Sequence, residues 1–335
     1  MTRTAAIAGS LLALLALPGC SSIPNISLSD FMEDRTQSMG LVDNMPTEAA
    51  LSSERLKVIV MESSDGGNAD VQRAQLPQAL TRDIEAMLGA NGVEVIDRSV
   101  SSRLDQEIRM CEMQANKCGI DTGPAVARYA VKATITRASY GARYVERQVM
   151  KIKGKDVVTD PYYSHSAAAS VSLKVYELPS MREVKAIVGS DTGSNTTPGP
   201  DNLGYAMVTA ALKSAISTGQ ARADFLNLFA PRGYVIGKRG GGKKSIFKVS
   251  IGSAQGLVPG APVVILAEET TINPITKKPT VDMVDVAKAR VSNIVTSNEA
   301  WIVLEDEDKA ALVKLGQQAK VFHEKGNAFF EKLSN

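Results

Sequence analysis

The change of sequence pattern at Gly233 constrains the fold more than any other feature of this chain. Before Gly233, short apolar runs alternate with segments whose apolar residues recur at helical spacing. After it, short apolar runs are broken by Gly and Pro at regular intervals. The first pattern is typical of helices that cover a sheet, and the second of a small β-barrel. We therefore predict an α+β chain with a mixed domain over residues 55–230 and a β-barrel domain over residues 231–335.

Composition agrees with this division and excludes several classes of function. A length of 335 residues suits about two domains. The 38 basic and 36 acidic side chains leave a net charge of +2, far from the basic excess of nucleic-acid binding proteins. Three cysteines and two histidines, with no Cys-x-x-Cys pair, exclude structural zinc. We expect no nucleic-acid partner, no metal and no cofactor.

Residue periodicity predicts the elements of the mixed domain. Leu76, Leu80, Ile84 and Leu88 share one helix face, and Gly92 follows as a stop signal. Strands are predicted at 56–61, 93–98, 129–140, 167–178 and 183–190, helices at 201–218 and 222–229 and after Ser99, and a loop at 189–200. The helices would cover one mixed sheet.

The barrel domain contains six short apolar runs. They span residues 234–236, 246–251, 262–266, 289–295, 300–304 and 319–322. We expect the barrel core to contain Phe247 and Trp301, the only tryptophan.

The first twenty residues have the layout of an export signal. Arg3 precedes an apolar run over residues 5–17, which has the length of a secretory signal core and is too short to span a membrane. The run ends in Leu17-Pro18-Gly19-Cys20. An incidental cysteine after a cleaved signal is the alternative interpretation.

The Leu17–Cys20 sequence resembles the lipobox of bacterial lipoproteins. The resemblance implies removal of a signal peptide over residues 1–19 and acylation of Cys20. Each buried acyl CH₂ contributes about 0.8 kcal/mol, so several chains anchor a protein stably. By the family's sorting rules, the absence of Asp after Cys20 implies the periplasmic face of the outer membrane, with the anchor in its inner leaflet. Residues 20–54 then form a lipidated, flexible tether with a reach of roughly 30 Å.

The order of elements in the mixed domain resembles a second family. Gly92-Val-Glu-Val-Ile-Asp-Arg98, residues 129–136, residues 170–178 and the helix at 205–216 follow the order of the family of CsgG, the TolB amino-terminal domain and LpoB. Residues 256–265 and 287–295 are similar to the SH3-like domain of the flagellar H-ring protein FlgT. This resemblance implies a CsgG/TolB-N-like mixed sheet covered by helices, followed by an SH3-like barrel.

Members of these families are envelope scaffolds, which implies a non-enzymatic role. We expect a structural or assembly component of a secretion-type or flagellar-ring-type envelope machine, acting by ring-like self-association. Three alternatives remain: an LpoB-like activator of a peptidoglycan synthase, a curli-type secretion channel, and an enzyme acting on envelope polymers, which is disfavoured because the sequence contains no acid/base or nucleophile constellation. The channel is disfavoured because Glu146 interrupts the apolar face of residues 137–153.

Cys111 and Cys118 are candidates for a disulfide in an oxidising periplasm. Seven residues rise about 10.5 Å in a continuous helix, beyond the reach of a disulfide, so the helix must end between them. Two unpaired thiols are the alternative.

The basic segment 237–245 approaches a phosphate-binding loop, but Lys244 occupies the Ser/Thr position and a strand follows. We expect a flexible hairpin tip. Lys238, Arg239, Lys243 and Lys244 could contact anionic lipid headgroups or peptidoglycan carboxylates.

The remaining polar features do not predict catalysis. His165 lies in a polar stretch without a nucleophile motif, which predicts a hairpin tip. His323 closes a strand, and the acidic run 305–308 lacks calcium-loop spacing, which predicts a solvated turn.

Overall fold

The computed structural model describes residues 23–33, 39–51, 55–66, 75–96, 127–241 and 244–324. These residues form a mixed α+β unit followed by a closed barrel of six strands, which confirms the predicted α+β class and the barrel. Among the described residues, no helix is long and apolar enough to cross a membrane.

The mixed unit is built on a five-stranded sheet. Its strands are β2 (Lys57–Val60), β3 (Glu94–Ile96), β4 (Tyr129–Val145), β7 (Tyr162–Glu177) and β8 (Arg182–Thr197), in the order β3-β2-β4-β7-β8. Strand β2 is parallel to β3 and β4, whereas β4, β7 and β8 are antiparallel. Between β4 and β7 the chain forms a separate hairpin of β5 (Gln148–Ile152) and β6 (Lys155–Thr159).

Three helices cover one face of this sheet: α2 (Leu76–Ala90), α3 (Gly204–Ser217) and α4 (Gly219–Phe229). The leucines and Ile84 predicted for one face of α2 are all buried. They pack with alternate residues of β7, such as Val171 and Leu173, and with Leu212 of α3. Alternation along β7 therefore directs one apolar set to the helices, as the sequence pattern predicted.

The barrel contains β9 (Arg232–Gly241), β10 (Lys244–Val249), β11 (Pro262–Ile272), β12 (Pro279–Val295), β13 (Ala300–Leu304) and β14 (Gln318–Val321). All neighbours are antiparallel, and pairing of β14 with β9 closes the sheet. Phe247 is fully buried in the barrel core, as predicted. Trp301 is a correction: it alternates with the inward-facing Ala300 and Ile302, so it is buried on the outer side of the barrel instead.

Three strands of the mixed sheet are longer than predicted. Strand β4 continues to Val145, β7 already begins at Tyr162, and β8 continues to Thr197. The prediction of a loop over residues 189–200 is therefore wrong for most of its length. The Ser, Thr and Gly residues of this stretch pair with β7 even though their side chains bury little apolar surface. The helix predicted after Ser99 lies outside the described residues.

The segment that precedes the mixed unit lies against the barrel. Strand β1 (Met32–Glu33) pairs with β9, and Leu41 forms a bridge with Leu315. The side-chain amide of Asn293 bonds the backbone of Ile26 in both directions, at 2.8 and 3.2 Å. The short helix α1 (Glu48–Leu51) completes this segment. Residues 23–33 and 39–51 therefore differ from the free tether that we expected over 20–54.

Candidate assembly surface

The ends of β4, β7 and β8 form a three-stranded extension of the mixed sheet, residues 137–145, 162–170 and 190–197. Residues that lie directly opposite one another on the three strands form rows across the extension, and one such row is Gly141, Ser166 and Ser194. The face turned away from the helices, which we call the open face, carries mainly small and hydroxyl-bearing residues. They are Ser139, Gly141, Ser164, Ser166, Ala168, Thr192, Ser194 and Thr196, flanked by Arg137 and Arg143. This face is therefore mainly polar.

The opposite face of the extension contains a buried histidine. His165 exposes 1% of its surface, which corrects the prediction of a polar hairpin tip. Its Nδ1 lies 2.7 Å from the hydroxyl of Tyr140 on β4. Its Nε2 lies 2.8 Å from Oγ1 of Thr197 at the end of β8. One imidazole therefore connects the two outer strands of the extension across the central strand.

Neighbouring hydrogen bonds determine the tautomer of His165. The hydroxyl of Thr197 donates to the carbonyl of Gly199 at 2.6 Å, so its oxygen accepts from the imidazole. Nε2 therefore carries the proton, and Nδ1 accepts from Tyr140. Both ring nitrogens are satisfied, and the rings of Tyr140 and Tyr163 lie 6.1 and 6.4 Å away. With neither nitrogen free to accept a substrate proton, the imidazole acts as a structural cross-link.

A groove of about 530 Å³ separates β8 from α3. Strand β8 contributes Asp191, Gly193 and Asn195, and α3 contributes Met207 and Ser214 among others. A side chain at Gly193 would meet no atom within 4 Å, so the groove is open above this point of the strand. The hydroxyl of Ser214 is buried and has no hydrogen-bond partner among the described residues.

The outer edge of β8 is unpaired in the described part of the chain, where β8 pairs only with β7. Helix α4 lies beside the first part of this strand, with an ion pair of 3.8 Å between Lys185 and Asp224. Residues 190–197 contain neither lysine nor proline, the residues that usually protect an exposed edge. Unpaired backbone donors and acceptors at such an edge can pair with a strand from another chain.

The predicted basic contact lies on the β9–β10 hairpin. Lys238, Arg239 and Lys244 are described, and Lys243 lies outside the described residues. The guanidinium of Arg239 lies 5.4 Å from the ring centre of Trp301, so it covers the tryptophan on the outer side of the barrel. Strand β10 follows the glycines, as predicted, in place of the helix that a phosphate-binding loop requires. Contact with an anionic surface stays a prediction.

All three cysteines lie outside the described residues. Acylation of Cys20 and pairing of Cys111 with Cys118 therefore stay predictions from the sequence.

His323 lies where the barrel meets the mixed unit. Its backbone N–H donates to the side-chain oxygen of Asn227 on α4, and its carbonyl accepts from the amide of the same residue, both at 2.9 Å. Burial, together with the positive charges of Arg222 and Lys320, lowers the pKa of His323 to about 4. The imidazole is therefore neutral at physiological pH, and its Nε2 is buried without a partner in the described part of the chain.

The acidic run 305–308 forms local contacts. Glu305 pairs with Arg290 at 3.0 Å, and the carboxylate of Asp306 accepts from the backbone of Asp308 to begin a short 3₁₀ helix. Across the described ranges, no three His, Cys, Asp or Glu side chains lie close enough together to hold a metal ion.

No protein-family model matches the chain, and no curated protein matches it. The chain is similar to solved structures over about half its length. The PelC dodecamer from Paraburkholderia phytofirmans is 13% identical with a TM-score of 0.24, over 52% of this chain and 91% of that one. Lipoprotein GNA1162 from Neisseria meningitidis is 10% identical with a TM-score of 0.24, over 46% and 93%. A minor lipoprotein from Acinetobacter baumannii is 11% identical with a TM-score of 0.21, over 47% and 83%.

Several of the similar structures are thus bacterial lipoproteins, and one is an oligomer. At these TM-scores and identities, the likenesses do not assign a function. The finer resemblances to CsgG, LpoB and FlgT stay predictions.

Proposed function

We propose that this protein is a lipoprotein anchored to the periplasmic face of the outer membrane, where it serves as a structural or assembly component of a cell-envelope machine. In this proposal Cys20 carries the lipid, and the mixed unit and the barrel project into the periplasm. The protein acts through its surfaces, by ring-like self-association and by contact with other envelope proteins or peptidoglycan.

The unpaired edge of β8 is the observation that carries this proposal. The last eight residues of this 16-residue strand pair with β7 on one side, have no strand partner on their outer edge in the described part of the chain, and include no lysine or proline, so that edge is a template for another chain. Natural monomers usually protect such edges, because an open edge invites association. A protein that functions as an assembly uses such an unpaired edge to bind the next subunit.

The chemistry of the described residues supports a non-enzymatic role. His165, the only buried imidazole in the extension, has both nitrogens occupied by structural partners. In this proposal the protein therefore acts by binding other molecules through its surface, without catalysis.

The LpoB-like activator is the second candidate, because the edge of β8 would accept a strand of a synthase as readily as one from a second copy. The curli-type channel is less favoured. Within the described extension, the open face is polar and the opposite face lies beside α3, so neither is an unbroken apolar surface.

Two measurements test the proposal. Cells fed tritiated palmitate should label the wild-type protein and leave a Cys20→Ala variant unlabelled. Mass photometry of residues 21–335, exported behind an ordinary cleavable signal, should show a multi-subunit species that grows with concentration. A monomer at every concentration would favour the activator, and an unlabelled wild type would remove the lipid anchor. A requirement of residues 21–335 for detergent to stay soluble would favour the channel.

A further inference from the structure

Two β-hairpins project from the molecule with opposite charge. The first, the basic arm, is the β5–β6 hairpin at residues 148–159, whose turn residues Lys153 and Gly154 both have positive φ, as a type I′ turn requires. The second, the acidic arm, is formed by the outer halves of β11 and β12 at residues 268–283. All residues of both arms are described.

One face of the basic arm is apolar and exposed. Met150 and Val157 are directly opposite each other, and Ile152 is opposite Lys155 on the same face. Met150 is 51% exposed, Val157 is 41% exposed and Ile152 is 53% exposed. An isolated two-stranded hairpin with an uncovered apolar face is marginally stable in water. Such a face gains stability when a partner covers it.

The acidic arm presents a matching face. Met283 lies opposite Glu268, Val281 opposite Thr270, and Ile272 opposite Pro279. Met283, Val281 and Ile272 are exposed by 46%, 57% and 70%. Each arm therefore carries three exposed apolar side chains and one charge on a single face, and the charge is Lys155 on one arm and Glu268 on the other.

The remaining charges of the two arms are also complementary. The basic arm carries Lys151, Lys153, Lys155 and Asp156, a net charge of +2. The acidic arm carries Glu268, Glu269 and Asp282 on its paired strands and Lys277 and Lys278 between them, a net charge of −1. Glu269 and Asp282 are directly opposite each other, an arrangement that is destabilising without a nearby cation. Neither carboxylate forms an ion pair with any residue that the structure describes.

A cavity at the base of the acidic arm extends its apolar face. This cavity of about 470 Å³ lies between the arm and residues 42–50 of the amino-terminal segment. Glu268, Thr270 and Met283 of the apolar face line it, together with Met45. The face therefore continues into a recess that can receive side chains from another molecule.

We propose that the basic arm of one copy docks on the acidic arm of a second copy. This inference rests on the proposed self-association and adds a second contact to the one proposed at the edge of β8. Met150, Ile152 and Val157 of one copy cover Ile272, Val281 and Met283 of the next, and Lys155 faces Glu268. Lys151, Glu269 and Asp282 lie on the opposite faces of the arms, where their charges attract at longer range. Because each copy uses two different surfaces, the contact is head-to-tail and closes into a ring when the rotation between copies permits.

The position of the charges favours a protein partner over a bilayer. Lys151, Lys153 and Lys155 lie toward the tip of the basic arm, beyond Val149 and Val158. Insertion into lipid would bury the charged tip before the apolar base, which is costly. The carboxylates on the acidic arm of a second copy neutralise these lysines instead.

Charge reversal tests this contact in the full-length protein, isolated from membranes in mild detergent. The variants are Lys151→Glu/Lys155→Glu in the basic arm and Glu268→Lys/Glu269→Lys in the acidic arm. Analytical ultracentrifugation should show that each variant alone associates at least about tenfold more weakly than wild type, because both of its arms then carry the same sign. An equimolar mixture of the two variants should assemble again, since each supplies the arm that the other needs. Lys309→Glu, an exposed charge reversal outside both arms, is the control and should associate like wild type.

The outcomes separate this inference from the proposed function. Assembly of both reversed variants at wild-type strength would overturn the arm contact and leave self-association intact. Failure of the mixture to reassemble two variants that are each folded, by circular dichroism, would also overturn it. A wild-type protein that stays monomeric would overturn the proposed self-association and the arm contact together.

Discussion

Gly92 and Gly256 lie back to back where the mixed unit meets the barrel. Gly92 follows helix α2, and Gly256 follows the short 3₁₀ helix Ser253–Gln255. A Cβ at Gly256 would lie 2.2 Å from the Cα of Gly92, and a Cβ at Gly92 would lie 2.5 Å from the Cα of Gly256. Both residues also have positive φ, at 79° and 84°. The close approach of these backbones requires glycine at both positions.

We predict that Gly92→Ala and Gly256→Ala each lower the free energy of unfolding by about 2–4 kcal/mol, because strain at positive φ adds to a backbone clash. Urea denaturation followed by circular dichroism measures the change. Gly89→Ala is the control: Gly89 lies in helix α2 with nothing within 4 Å of its Cβ position. This control should gain about 0.5–1 kcal/mol from helix propensity. Equal stability of Gly256→Ala and wild type would contradict the contact.

His165→Leu should lower the free energy of unfolding by about 2–3 kcal/mol, because the Tyr140 hydroxyl loses its acceptor and Oγ1 of Thr197 loses its donor. Tyr140→Phe removes only one of the two hydrogen bonds and should cost about 1 kcal/mol. A double-mutant cycle between these positions should give a clear coupling energy. Amide hydrogen exchange should also accelerate at residues 190–199, which the imidazole connects to β4. Additive effects with unchanged exchange would show that the imidazole does not join the strands.

The pH dependence of stability should contain a contribution from His323. The folded state holds its pKa near 4, whereas an unfolded histidine titrates near about 6.5. Between these values the unfolded chain binds more protons, so the free energy of unfolding falls as the pH is lowered from 6.5 toward 4. Above pH 7 the imidazole is neutral in both states and contributes no slope.

The variant His323→Gln isolates this contribution. The difference in unfolding free energy between wild type and variant should be constant above pH 7 and shrink between pH 6.5 and 4. Parallel curves over this range would mean that the imidazole is not buried at the junction.

Ser194→Lys on the edge strand β8 should weaken self-association at least about tenfold, because an edge lysine disfavours strand pairing. Ser166→Lys is the matched control, since Ser166 lies opposite Ser194 on the central strand β7 and on the same open face. Sedimentation equilibrium compares the two. If only the Ser194 variant loses association, the edge of β8 forms the contact between copies. If both variants lose association, the open face forms it. Full association in both variants would exclude this surface.

Elements with strong periodicity could be predicted from the sequence. The helical spacing of Leu80, Ile84 and Leu88, followed by a glycine, predicts helix α2, and the alternation of apolar residues predicts β7. Both signals are local consequences of burying one face. The extension lacked this signal. Residues 190–197 bury little apolar surface, so their Ser, Thr and Gly content indicated a loop, and only pairing with β7 made them a strand.

The candidate site depended still more on tertiary structure. The polar sequence neighbours of His165 predict a polar tip, but the register of three strands buries it between Tyr140 and Thr197. The basic and acidic arms lie more than 100 residues apart in sequence, and neither short apolar run reveals that it projects uncovered.

The sequence by itself determined the α+β class, the six barrel strands and the expectation of a lipid on Cys20, because helix period, strand alternation and a processing motif are all properties of neighbouring residues. Only the tertiary structure decided which face Trp301 occupies, how far β8 extends, and that residues 23–33 and 39–51 lie on the barrel. These features depend on contacts between residues distant along the chain, and such contacts leave no periodic mark in the sequence.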